Sequence, residues 1–531
     1  MTTFIPKNNN GFEWCHFDSV YFKGYFYNSD NKFYNETDAI SVFNKITCEK
    51  DFMTILNSIN GVFSVVIIKN SECFISCDIT RIFPIFYTIK ENSITLSDDI
   101  NILKDKKNNS KFDEDSVYAF QGFGHTLGKN TLLKNIYQVQ SSEYLIFEKN
   151  KMKSKGFYFS FGVKNYSNLP YNHYKTKVSQ IIENTFIRLV NSLKGKTAVI
   201  PLSGGFDSRL IAVMLKKHNF KNVICFTYGK KNNIDMNLSQ KVADSLNFKW
   251  YFIEHTDKLI EGYLNTDIFK KYCNSNFHYS SMLFLQEYFA VKYLKENNLI
   301  PANSVFIPGH DGGALGGGYL IKTIPLQLKS NKLPNSIYKK YAYAKSISTK
   351  KEKCLTEIET TLLDFNHNYK KLIFQSVYED YVTKEITAKI IFNSSKVYEF
   401  FGYEHRFPFW DKELLDTFKY LPINYKINKK LFYDVLTDFF NLYNLNFQYE
   451  IRPSLLKIKY QNLKKILKPF FPYFILKNKL IKNDWLNSEK MVLEMENSLK
   501  TNNINYNAKI KTFNEMNIHW YLYFCKGLIK K

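Results

Sequence analysis

Nothing restricts the fold of this chain more than the apolar run Thr197-Ala198-Val199-Ile200-Pro201-Leu202, which passes directly into Ser203-Gly204-Gly205-Phe206-Asp207-Ser208. The run predicts a buried strand over 197–202, and the helical spacing of Leu210, Ile211, Val213, Met214 and Leu215 predicts a helix over 208–218. Gly204 and Gly205 carry no side chains to keep backbone N–H groups from turning inward around an anion. The helix N-terminus brings its partial positive charge to the same place. Ser203 and Ser208 add hydroxyl donors, whereas Asp207 repels a phosphate and is placed to hold Mg2+ on it. A Walker A loop is excluded, because Arg209 follows the serine and no Gly-Lys-Ser/Thr closes the glycine run.

With 531 residues, 45% of them apolar, the chain is long enough for two or more cores. Its 73 basic residues outnumber 49 acidic ones, but the lysines are spread rather than clustered, so no nucleic-acid partner is expected. No stretch approaches the length of a membrane span and residues 1–7 lack signal-peptide character, which predicts a cytoplasmic protein without stable membrane insertion. Eight scattered cysteines argue against a disulfide frame or a zinc site. Short alternating runs at 62–69, 73–77, 82–89, 94–97 and 143–148 predict a mostly antiparallel β region. From 171 onward the period changes to helices at 174–193, 208–218 and 236–246 alternating with strands at 197–202, 222–228, 249–254 and 304–307, an open α/β sheet. Beyond 325 the pattern is mainly helical. Asn, Ser and Pro interrupt both periods near 164–171, which divides the chain into 1–165 and 166–531.

Residues 203–208 fit the signature of the PP-loop ATP pyrophosphatases, and three further segments resemble the asparagine synthetase family. Ile307-Pro308-Gly309-His310-Asp311-Gly312-Gly313-Ala314-Leu315-Gly316-Gly317-Gly318-Tyr319 resembles that family's second nucleotide loop, Ser-Gly-Glu-Gly-x-Asp-Glu before Gly-Gly-Tyr. Glu404-His405-Arg406-Phe407-Pro408-Phe409-Trp410-Asp411 resembles its Glu-x-Arg-x-Pro-Phe-Leu-Asp element. Residues 56–64, 78–87 and 94–100 are similar to its glutaminase domain. The resemblance implies a degenerate Ntn-hydrolase-like antiparallel domain ahead of an open parallel sheet of the adenine nucleotide α-hydrolase type with a helical C-terminal part. It also implies ATP and Mg2+ as cofactors.

The departures are as informative. Thr2 stands where glutamine-hydrolysing members have cysteine, and the glutamine-clamping arginine and Asn-Gly-Glu elements are not recognisable. Gly313 and Ala314 stand in place of the family's acidic pair, which leaves Asp311 as the nearest second metal carboxylate beside Asp207. His310 takes the place of a substrate-side glutamate or tyrosine and is a candidate either to orient the incoming amine or to act as general base. Lys457 and Lys459 are candidates for the lysine that the family brings to the α-phosphate. Ser203, Gly204, Gly205 and Ser208 are expected to bind pyrophosphate, with Arg209 adding charge, and Thr227-Tyr228 and Pro308-Gly309 to contact adenosine.

The chemistry implied is an AMP-forming ligase that adenylates a small-molecule carboxylate and hands it to ammonia or an amine. Three outcomes stand open: asparagine from aspartate, amidation of a uronic acid for surface polysaccharide, and ring closure as in β-lactam or lasso-peptide cyclases. A non-catalytic nucleotide-binding protein is the alternative from another class, since the second loop lacks acids. The identities of acid and amine, the catalytic lysine and the oligomeric state stay open.

Overall fold

Period-2 alternation sends neighbouring residues of the N-terminal strands to opposite faces, and both faces find a cover. The computed structural model describes residues 2–90, 93–104, 111–320, 332–342, 351–447, 484–504 and 512–529. One sheet runs Lys151–Phe157, Glu143–Glu148, Glu72–Cys77, Asn60–Lys69, Val20–Tyr27, Cys15–Phe17, each antiparallel to the next. Phe63, Val65, Ile67 and Phe74 turn toward helices Glu36–Phe43 and Glu49–Ser58. Val66, Cys73 and Ile75 face the other way, into a core shared with Phe4, Tyr87 and Leu96 of a second, smaller sheet. In that sheet Thr2–Ile5 lies parallel to Ser93–Ser97, a pairing the sequence reading missed. The strand expected over 82–89 starts only at Phe86. The buried Asp78 carboxylate holds the Thr80 N–H at 2.6 Å, Arg81 turns to φ +53°, and Pro84 has no N–H to pair.

The second half is a five-stranded parallel sheet in the order Lys249–Glu254, Val223–Gly229, Thr197–Pro201, Ser304–Phe306, Glu404–His405. Ala198 and Ile200 pack beneath helices Tyr171–Ser192, Phe206–Lys217 and Lys430–Asn441. Val199 points to the opposite core with Phe226, Phe306 and helices Tyr288–Glu296 and Phe513–Ile529. Burial on both faces is why these strands read as continuous apolar runs. The chain leaves the central strand Thr197–Pro201 toward one edge and later returns to its other side, so the sheet's switch point lies at the end of that strand. Among the described residues no helix is long and apolar enough to cross a membrane.

A buried ion pair of the second half is gripped by two asparagines of the first. Arg188 donates through Nη2 to Asp411 Oδ2 at 2.6 Å and through Nη1 to Asn31 Oδ1 at 2.7 Å. Asn60, from the first sheet, donates to the same Asp411 oxygen at 2.9 Å and accepts the Lys412 N–H. Arg188 and Asp411 side chains are 4% and 5% exposed, so removing the cation strands a carboxylate away from water. Arg188→Met is expected to cost about 3–5 kcal/mol; a lowered urea midpoint at pH 7 reads this, and an unchanged midpoint would contradict it.

Candidate active site

The turn after the central strand is built by its own side chains. Ser208 Oγ accepts the Ser203 N–H at 3.0 Å, Ser203 Oγ accepts the Gly205 N–H at 3.2 Å, and the two hydroxyls lie 3.1 Å apart. The Gly204 N–H donates to Asp235 Oδ1 at 2.8 Å. Helix Phe206–Lys217 begins at Gly205 without a side-chain cap, so its first turn presents backbone donors at the mouth of the loop.

A cleft of about 310 Å³ opens here, at the switch point. It brings together Ser203, Gly205, Asp207, Ser208, Thr227, Tyr228, Pro308, Gly309, His310 and Asp311 from the residues singled out in the sequence. Asp235, Phe284, Gln286, Glu287, Ile391, Ser394 and Trp485 also line it, and sequence reading had found none of them. Each lies outside a motif and reaches the cleft only through the fold. Gly204 shapes the loop from behind: its N–H is held by Asp235 and its carbonyl by Arg209.

Arg209 corrects the expectation that it adds charge to a phosphate. Its side chain is fully buried and points away from the cleft, with Nη2 donating to Gly204 O at 2.6 Å and Nη1 to the carbonyls of Leu445 and Phe447 at 3.0 and 2.8 Å. The guanidinium lies 3.9 Å from the Phe447 ring centroid, and burial lowers its pKa to about 10. Following the first helical residues on the inward face, it has no path to solvent.

The second loop approaches the first as closely as backbone allows. A Cβ on Gly309 would sit 2.8 Å from the Ser208 backbone nitrogen, and the Gly313 N–H donates to Asp207 Oδ2 at 2.8 Å. The space for a side chain at 313 is taken by a lysine: a Cβ there would lie 2.7 Å from Lys429 Nζ. Asn428 and Lys429 both adopt positive φ, +59° and +58°, a left-handed turn that brings this ammonium to the loop. Lys429 Nζ also donates to Tyr433 Oη at 2.9 Å. Lys457 and Lys459 lie outside the described residues.

The Asp311 carboxylate accepts from the Tyr319 hydroxyl and, at 2.8 Å, from Thr387 Oγ1. Burial pushes its pKa up and those hydroxyls pull it back. His310 Nδ1 is 3.0 Å from Ser395 Oγ, and its carbonyl accepts the Trp410 indole N–H at 3.2 Å. Among the described residues no three metal-ligating side chains converge. Asp207 and Asp311 nonetheless line the same cleft, and one or two carboxylates completed by phosphate oxygens is the donor set that suits Mg2+. Gly309→Ala is expected to force the loops apart and abolish ATP binding while the fold survives. Isothermal titration beside circular dichroism checks this, and retained nucleotide affinity would refute the close approach.

Comparison with known proteins fits this geometry. Residues 196–444 match the family model described as asparagine synthase, and residues 21–158 match the glutamine amidotransferase domain. No curated protein matches. Among solved structures, the NMN synthetase from Francisella tularensis is 19% identical over 29% of this chain and 60% of its own, with TM-score 0.18. The NH3-dependent NAD synthetase from Campylobacter jejuni is 19% identical over 38% of this chain and 96% of its own, with TM-score 0.20. The U34-tRNA thiolase NcsA from Methanococcus maripaludis is 11% identical over 65% and 84%, with TM-score 0.24. Likeness at these scores carries no argument about activity. The argument rests on the two family matches, one on each half of the chain. They support an ATP-dependent amide ligase of the PP-loop type, in which an asparagine synthase domain follows a glutamine amidotransferase domain.

Proposed function

We propose that this chain activates a carboxylate with ATP as an acyl-adenylate, releasing pyrophosphate, and passes the acyl group to ammonia or an amine with release of AMP. The carrying observation is the meeting of two glycine loops and an uncapped helix N-terminus on one cleft with Asp207 between them. That arrangement favours positioning of the β and γ phosphates for attack at the α phosphorus, with charge neutralised by fixed donors rather than by covalent catalysis. Ser203, Gly205 and Ser208 hold the leaving pyrophosphate. The strand end at Thr227–Tyr228 and the turn Pro308–Gly309 offer backbone groups to the nucleoside, and Phe284 and Trp485 supply apolar walls for its base. Mg2+ on Asp207, with Asp311 as second carboxylate, would screen the phosphates.

Lys429 takes the role first sought at Lys457 or Lys459. Its ammonium stands at Gly313 of the second loop, where a family aspartate would have been, and it balances the charge of the departing pyrophosphate. We divide the chain at 165: residues 1–165 act as a packing partner, and 166–531 carry the ligase. Aspartate, giving asparagine, is the acid the family match favours.

Incubation with ATP, Mg2+, ammonium chloride and aspartate or a panel of uronic acids, read by phosphorus NMR and mass spectrometry, should yield AMP, pyrophosphate and an amide. ADP and phosphate would overturn the reading. Asp207→Ala is expected to abolish AMP release. Lys429→Met should lower kcat on the order of 100-fold, and full activity in either variant would reject its role. Thr2→Ala, altering a strand residue whose hydroxyl bonds Asn150 at 3.1 Å, should leave ammonium-dependent turnover intact.

A further inference from the structure

At the cleft wall formed by Glu287, Tyr228 and His310, a carboxylate faces an imidazole. Glu287 Oε1 lies 3.6 Å from His310 Nε2, too far for a hydrogen bond between them. The two side chains are 12% and 17% exposed, both on the cleft surface. Each is held from behind. The Tyr398 hydroxyl donates to Glu287 Oε2, the Tyr228 hydroxyl donates to Oε1 at 3.4 Å, and His310 Nδ1 meets Ser395 Oγ at 3.0 Å. Tyr398 is itself clamped against Phe306, their rings stacked with centroids 4.4 Å apart. In the tautomer whose Nδ1–H donates to Ser395 Oγ, Nε2 presents a lone pair toward Glu287 Oε1.

A carboxylate is a poor neighbour for the two anionic groups this cleft must hold on the ligase reading, the phosphates and the acid substrate. It is a good neighbour for a cation. We propose that Glu287 and His310 form the seat of the incoming nitrogen, taking ammonium or the protonated end of a small primary amine. One N–H donates to Glu287 Oε1 and another to His310 Nε2. One proton then moves to His310 Nε2, and the freed lone pair attacks the acyl carbon of the adenylate to form the C–N bond. The bond from that carbon to the phosphate oxygen breaks, its electron pair leaves with AMP, and the nitrogen's second proton passes to the released phosphate. Glu287 is the residue that selects a positively charged donor and fixes it beside the base.

This rests on the ligase reading, and the test separates the two. Hydroxylamine is uncharged at neutral pH and attacks without first losing a proton, so it does not need the seat. AMP release is measured with ammonium chloride and, separately, with hydroxylamine. Glu287→Gln should lower kcat/KM for ammonium about tenfold or more and change hydroxamate formation by less than about threefold, so that the ratio of the two rates moves. Tyr228→Phe, which removes the longer phenol contact, should shift the same ratio in the same direction by a smaller factor. Equal loss of both activities in Glu287→Gln together with an unmoved ratio in Tyr228→Phe would overturn the seat, as would an unchanged KM for ammonium. No AMP from the wild-type chain with any acid would instead overturn the ligase reading, and the seat would fall with it.

Discussion

Two loops from opposite sides of the sheet's central strand meet at a separation that leaves no room for a β-carbon, and the cleft exists because of that contact. Gly309 sits against the Ser208 backbone, and Gly313 donates to Asp207. Each loop thereby fixes the other, and the first turn of helix Phe206–Lys217 opens onto the space between them. A parallel sheet supplies this only where its strand order reverses, which places the cleft at the carboxyl end of Thr197–Pro201. The remaining architecture holds that one strand in the middle: helices bury both its faces, and no edge of it is open.

Charge is distributed around the cleft in a way the motif alone would not suggest. The arginine that follows the loop serves shape rather than charge, because it donates to Gly204 O from behind and to the carbonyls of Leu445 and Phe447 beyond. A buried cation surrounded by three carbonyls and by the Phe206, Phe440 and Phe447 rings has its desolvation offset by those contacts. The positive charge that faces the loops comes instead from Lys429, seated in the space a side chain at 313 would need. With glycine at 313 and an ammonium packed against it, the charge at this spot is positive.

The sequence made the strand, loop and helix on one side of the cleft readable because their residues are contiguous: an apolar strand, glycines and an amphipathic helix follow one another between Thr197 and Leu215. The second loop was legible for the same reason. What sequence could not place are side chains that arrive from distant segments. Asp235, Glu287 and Trp485 belong to no motif, and only the fold brings them to the cleft, as it brings Lys429 to Gly313 of the second loop. Arg209 misled because its position in the motif fixes its neighbours along the chain but not the direction its helix face turns. Periodicity failed at 82–89, where the buried Asp78 organises a turn that overrides strand-forming residues, and it could not show that Thr2–Ile5 pairs in parallel.

The N-terminal half reaches the site through packing. The last strand of the parallel sheet, Glu404–His405, lies against it: His405 bonds Glu399 at 3.2 Å and packs on Phe12 and Phe83, while the Arg406 guanidinium stacks 4.2 Å from the Tyr25 ring centroid. Lys23, on the same face as Tyr25, is buried so deeply that its pKa falls to about 8, and its ammonium donates to Asn8 O. From Arg406 the chain runs five residues to Asp411, bound by Arg188 and Asn60, and on the way Trp410 donates to the His310 carbonyl. His310 is therefore braced on one side by Ser395 and on the other by a segment pinned between the two halves. The N-terminal domain thus has a structural part in the site, because the backbone carrying the His310 imidazole is anchored through it.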